Sequence, residues 1–208
     1  MSVSDTRRRR AFIQDDSGAA AVEFGLVGGS FILLLLAIMD FGNAFWQWNQ
    51  ASKAVQLGVR LAAVSNPVSS DLKTFDGTTL GASPGDPMPY FKRVCNGATS
   101  SCTGGLFSQA ALNTIVYGRG NTSCPTTPQN FPPMCKVFPR ITPRNVIVEY
   151  VQTGLGFAGR PGGPVPTINL RLTGLSYNFI ILNEWLGLDD IAMDGLSATA
   201  TAEDMSGS

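Results

Sequence analysis

SGAAAVEFGLVGGSFILLLLAIMDFGNAFW, residues 17–46, is the stretch that decides the architecture. Within it, residues 24–39 are sixteen positions without a charge, and counting back to Ala19 gives twenty-one interrupted only by Glu23. A bilayer-spanning helix needs about 20 mainly apolar residues, so the run is long enough if Glu23 is accommodated. The block Arg7-Arg8-Arg9-Arg10 precedes it, and the next basic residue after the block is Lys53. That asymmetry puts the amino end in the cytoplasm and the remainder outside. Two other readings compete: a buried helix of a soluble protein, and an export signal cleaved near the small residues Gly42-Asn43-Ala44. Leu33-Leu34-Leu35-Leu36 beside an arginine block fits membrane targeting better than either.

The helical pattern continues past the apolar run. Phe41, Phe45, Trp48, Ala51, Val55, Val59 and Ala62 or Ala63 recur at a helical period, and Asn66-Pro67 is a clear stop. One helix over 19–65 would be about 70 Å long at 1.5 Å per residue. Half would lie in lipid, and the other half would present its apolar stripe to a folded domain. Trp46 and Trp48 fall where an outer interfacial belt would sit, although Trp48 also suits a core contact.

Composition divides the chain at the same place. All thirteen prolines, all four cysteines and seventeen of the twenty-three glycines follow Asn66. Beyond the rod at 1–66, residues 67–208 are numerous enough to bury a core of their own. Fifteen basic and fifteen acidic residues leave no net charge, so nothing draws the chain to nucleic acid. Histidine is absent, which removes histidine triads, histidine general bases and imidazole zinc sites. No catalytic constellation, cofactor motif or metal site emerges, and an enzyme is not expected.

Late in the chain the pattern becomes that of strands. Val146, Val148 and Tyr150 alternate within 145–152, and Ile168, Leu170 and Leu172 alternate with Asn169, Arg171 and Thr173. After Gly174 the parity flips to Leu175, Tyr177 and Phe179, which reads as a bulge or bend. Leu196, Ala198, Ala200 and Ala202 alternate with polar residues, and 106–117 reads as a short helix. Three or four antiparallel strands against the helix stripe give an α+β fold. Gly154-Leu155-Gly156-Phe157-Ala158-Gly159 matches a dinucleotide fingerprint, but Arg160-Pro161-Gly162-Gly163-Pro164 cannot open the helix such a site requires. Asp189-Asp190 is a carboxylate pair without supporting ligands.

Four cysteines outside the cytoplasm imply disulfides, with three possible connectivities. Nearest-neighbour pairing, Cys95–Cys102 and Cys124–Cys135, is expected because each closes a short Gly/Pro/Ser/Thr loop. A four-cysteine zinc site is the rival, against which stands the lack of a C-x-x-C knuckle.

Glu23 is the anomaly of the apolar run. A carboxylate near the start of a bilayer helix costs on the order of 2.5–3.5 kcal/mol on insertion scales, so it is usually paired, protonated or functional. It also suits the edge of the membrane, with the span starting at Phe24. Ala21, Gly25 and Gly29 form a small-xxx-small ladder that would let another helix approach closely.

Gly18-Ala19-Ala20-Ala21-Val22-Glu23-Phe24, after a basic leader and before the apolar run, resembles the processing site of type IV pilin-like precursors. The wider stretch 17–46 resembles the TadE-like family of minor pilin-like proteins in tight-adherence pilus systems. The resemblance implies a cytoplasmic leader at 1–18, cut from Ala19 by a prepilin peptidase after Gly18. It further implies a long helix at 19–66 and an extracytoplasmic domain at 67–208, closed by disulfides. In that family the new amine of one subunit neutralises the glutamate of its neighbour inside an apolar bundle, which would give Glu23 its role in assembly. The partners implied are the major pilin and other minor pilin-like subunits. The location implied is the bacterial inner membrane, with the domain in the periplasm. Phe24 after the glutamate and Asp15 and Asp16 in the leader depart mildly from the family pattern. An uncleaved, signal-anchored binding domain is the alternative.

Overall fold

Without proline or a charge to interrupt it, the apolar run can satisfy every backbone group internally. In the computed structural model it is the start of one α-helix, α1 (Ser17–Ala63), 47 residues long. The structure describes residues 17–127, 131–187, 189–202 and 205. The arginine block, Asp15, Asp16 and the rest of the leader before Ser17 lie outside the described residues. The helix ends two residues short of the expected 65, where Val64 N–H turns back to the Leu61 carbonyl at 3.3 Å and Pro67 follows.

Packing gathers the chain into two units: one takes the chain through Ala44 together with Phe179–Asp189, the other takes Phe45–Asn178 and the chain from Asp190 onward. The second unit is built on an antiparallel sheet. Its strands are β1 (Lys92–Asn96), β2 (Ser101–Thr103), β3 (Val146–Val151), β4 (Thr167–Leu172) and β7 (Ser197–Thr201), in the order β2-β1-β3-β4-β7. β5 (Ser176–Tyr177) and β6 (Ile191–Ala192) form a separate two-stranded ribbon.

The main sheet therefore has five strands where three or four were expected. The added pair, β1 and β2, has no apolar–polar alternation to reveal it. It is held by pairing of Cys95 opposite Val148 and by the Cys95–Cys102 hairpin. The parity change at Gly174, expected as a bulge or bend, is a bend. Gly174 takes a left-handed conformation (φ 65°), and the chain leaves the main sheet for the ribbon.

The core is the inner face of this sheet and the distal part of α1. Val146, Val148 and Tyr150 of β3, and Ile168, Leu170 and Leu172 of β4, are fully or almost fully buried. They share one apolar cluster with Ala51, Ala54, Val55, Val59, Ala62 and Ala63 of α1. Each large side chain buried this way contributes about 1.5–3 kcal/mol. Small residues on the helix stripe keep the backbone close to its neighbours. A Cβ at Gly58 would lie 2.5 Å from Met134 Sδ on the short helix α3 (Met134–Val137). The helix expected at 106–117 is α2 (Gln109–Tyr117), begun by Ser108, whose Oγ accepts from Ala111 N–H at 3.3 Å. Tyr150 ties the sheet to the segment that follows α1 by accepting Val68 N–H at 2.9 Å in the buried core.

Both disulfides join nearest neighbours. Cys95 bonds Cys102 across the β1–β2 hairpin, and Cys124 bonds Cys135 of α3. Arg140 braces the start of the packed helix, donating to Gln47 Oε1 at 3.0 Å and to the Ser176 carbonyl of the ribbon at 2.7 Å. The glycine run 154–159 is a loop with Gly154, Gly156 and Gly159 at positive φ, and no helix follows it.

In the first unit, Phe41 and Phe179 meet edge to face with ring centroids 5.3 Å apart. Just beyond Phe179, residues Leu182–Leu186 form the single-turn helix α4.

Candidate functional site

The amino-terminal half of α1 is apolar and uncovered. Its most apolar 18-residue window has a mean hydropathy of 2.2, and none of that window is buried. Phe24 is 81% exposed, and Leu26, Phe31, Ile32 and Leu34 are also exposed. A soluble protein rarely leaves so much contiguous apolar surface open, so this face is built for lipid or for other helices. The helix is long and apolar enough to cross a membrane.

The apolar stripe expected from Phe41 to Ala63 is divided. From Ala51 onward it is buried, whereas Phe41, Phe45 and Trp48 are exposed. Trp46 at 58% and Trp48 at 38% exposure are likewise not core residues.

Gly18 and Ala19 lie in the first turn of α1, exposed, with open space around the Gly18 Cα. Glu23 follows one turn after Ala19 on the same face, also exposed, and among the described residues it has no hydrogen-bond or ion-pair partner. Ala21, Gly25 and Gly29 are exposed as well, and a Cβ placed on either glycine would meet nothing. Two residues of an α-helix are separated by about 200° around its axis, so Glu23 and the ladder begun by Ala21 face nearly opposite ways. A partner docked on the ladder would leave the carboxylate to a different neighbour.

Asp40, which closes the apolar run, has a definite place. It is 3% exposed, and its carboxylate accepts three consecutive backbone N–H groups. Ile181 and Leu182 donate to Oδ2 at 2.8 and 3.0 Å, and Ile180 to Oδ1 at 3.4 Å. These are the otherwise unpaired N–H groups at the start of α4, so the carboxylate acts as a cap supplied from a remote helix. Sequence reasoning missed this role. The signals were an aspartate at the end of an apolar run and the apolar tetrapeptide Phe179-Ile180-Ile181-Leu182, and nothing local links the two.

In the second unit, a cleft of about 550 Å³ opens beside the end of α1, lined by Leu61, Val64, Thr114, Arg119 and Phe131 among others. Among the described residues, no group of three or more Cys, Asp or Glu side chains is placed to hold a metal ion. Asp190, from the acidic pair, accepts Asn178 Nδ2 at 2.6 Å and acts as a loop tie.

Among the described residues, one exposed apolar helix, long enough to cross a membrane, leads into a disulfide-braced α+β body, and that defines the class: a candidate membrane-anchored protein with a folded domain. Within that class, residues 18–60 match the family model described as TadE-like protein. Gly18, Ala19, Ala21, Glu23, Gly25, Gly29 and Asp40 all lie inside the matched segment. Comparisons with curated proteins and with solved structures yield no match.

Proposed function

We propose that the chain is a minor pilin-like (pseudopilin) subunit that takes part in assembling a tight-adherence adhesion pilus. A prepilin peptidase removes the leader after Gly18, and the new amine at Ala19 becomes the partner of a neighbouring subunit's Glu23. The reading is carried by one observation: Glu23 stands exposed on an uncovered apolar helix within the TadE-like segment. A carboxylate in that setting is costly alone and favourable only when paired, which makes assembly selective for a correctly placed neighbour. The ladder of Ala21, Gly25 and Gly29 gives a second helix a close approach from the other side. The amino end lies in the cytoplasm and the disulfide-closed domain in the periplasm, anchored in the bacterial inner membrane. Its partners are the major pilin and other minor subunits. Its role is structural, with no chemistry of its own.

Intact mass and amino-terminal sequencing of the protein from its native membrane test the proposal. A chain beginning at Ala19 is the expected result. One beginning at Met1 or Ser2 would overturn it in favour of an anchored binding domain. Glu23→Leu should keep membrane insertion but lose partner association; retention of both would remove Glu23 from the mechanism.

A further inference from the structure

We propose that the Phe179–Asp189 segment is a second membrane contact, lying in the bilayer interface beside the end of the spanning helix with Asp40 as its tether. This rests on α1 being a spanning helix. Glu23 and Asp40 bracket the charge-free run, and seventeen steps of helix separate them by about 26 Å, close to the hydrocarbon thickness of a bilayer. Asp40 therefore marks the boundary between lipid tails and headgroups. Whatever is fastened to it is held at that depth.

The fastened segment has the composition for that depth. Among residues 179–182, all apolar, Ile180 is exposed and Ile181 half-buried, whereas Phe179 and Leu182 are buried and anchor the turn. Ile180 is 66% exposed, and Phe41 on the neighbouring helix is also exposed. The segment is fastened to α1 at Asp40 and at Phe41, so a bilayer that covers the helix up to that level reaches the segment. Asn183, Glu184 and Asp189 are exposed and give the segment a polar side for the headgroups and water.

The backbone supplies the second, independent argument. Outside a complete helix or sheet, a chain enters a lipid environment only if its N–H groups are satisfied by protein. Three consecutive N–H groups at this turn are satisfied by one buried carboxylate, that of Asp40. With these groups satisfied by protein, the turn meets the condition for lying at the lipid boundary.

The test uses the full-length protein in phosphatidylcholine vesicles carrying bromine either near the glycerol or near the chain ends. The three tryptophans, Trp46, Trp48 and Trp185, are replaced by Phe, and a single reporter is introduced as Ile180→Trp or, separately, Leu34→Trp. The Ile180→Trp reporter should be quenched by the shallow bromolipid and little by the deep one. The Leu34→Trp reporter should show the reverse. If Leu34→Trp is quenched and Ile180→Trp is not, the interfacial contact is wrong while the spanning helix stands. If neither is quenched, the spanning reading fails and takes this inference with it. Quenching of the Ile180→Trp reporter that appears only as protein is diluted into lipid would assign the segment to a second copy and overturn the lipid contact. Adding Asp40→Ala should open the Ile180→Trp reporter to an aqueous quencher; shallow quenching that survives this change would remove Asp40 as the tether. Circular dichroism of each variant, with retention of α1 helicity, separates loss of the contact from loss of the fold.

Discussion

Leu182 N–H donates to Asp40 Oδ2 at 3.0 Å, a hydrogen bond between residues 142 apart in the chain. With the parallel bond from Ile181, it converts the end of an apolar run into a fixed attachment point. A carboxylate at this position looks like a defect of a membrane helix until the N–H groups it accepts are counted. Once they are, Asp40 is the cap of a helix that cannot cap itself.

Replacing Asp40 by Ala should therefore act on the remote segment before it acts on α1. The expected result is faster amide hydrogen exchange at Ile180, Ile181 and Leu182, with helix α1 unchanged around position 40. Asp40→Asn keeps one carbonyl acceptor and should give an intermediate effect. Equal exchange in wild type and Asp40→Ala would show that the cap contributes nothing.

Tyr150 offers a pH-dependent prediction. Burial pushes its phenol well above the ordinary tyrosine range, with the Val68 N–H opposing that shift. Folding therefore favours the protonated form. The stability this group contributes is complete below its unfolded value of about 10 and is lost as pH climbs from there towards the folded value. Urea midpoints measured across the alkaline range should fall steeply above about pH 10 in wild type and less so in Tyr150→Phe. At neutral pH the same substitution leaves the buried Val68 N–H without its acceptor and should cost about 1–3 kcal/mol.

Each disulfide should stabilise by limiting the unfolded chain. Cys95 and Cys102 are separated by 7 residues and Cys124 and Cys135 by 11. Loops of these lengths correspond to about 2–3 kcal/mol each, slightly more for the longer. Urea unfolding of the two Cys→Ser double variants checks this. Midpoints unchanged from wild type would mean that packing alone closes both loops.

Two glycines separate overpacking that can relax from overpacking that cannot. A Cβ at Gly97 would press on the Pro143 carbonyl oxygen, a backbone atom, so Gly97→Ala should cost about 3 kcal/mol or prevent folding. At Gly58 the obstacle is the flexible thioether of Met134. There the gain of about 1 kcal/mol in helix propensity offsets most of the strain, and Gly58→Ala should lie close to wild type. Thermal melts of the two variants should differ clearly; equal melting temperatures would contradict the geometry.

The sequence by itself determined the parts of this protein that depend on local pattern. Hydropathy and length identified the helix, Asn66-Pro67 marked its end to within three residues, and alternation located β3, β4 and β7. The pairing of Cys95 with Cys102 and of Cys124 with Cys135 followed from short loops. These features are legible because a helix period, a strand period and a loop length are properties of consecutive residues. Only the tertiary structure decided the rest. β1 is a strand because β3 offers it a ladder, and β2 because β1 does, not because Lys92-Arg93-Val94-Cys95-Asn96 alternates. The stripe of α1 is buried from Ala51 onward and open at Phe45 and Trp48, a boundary set by how far the folded body reaches along the helix. Asp40 acquired its role from backbone groups some 140 residues away, and a contact that distant leaves no periodic trace in either partner.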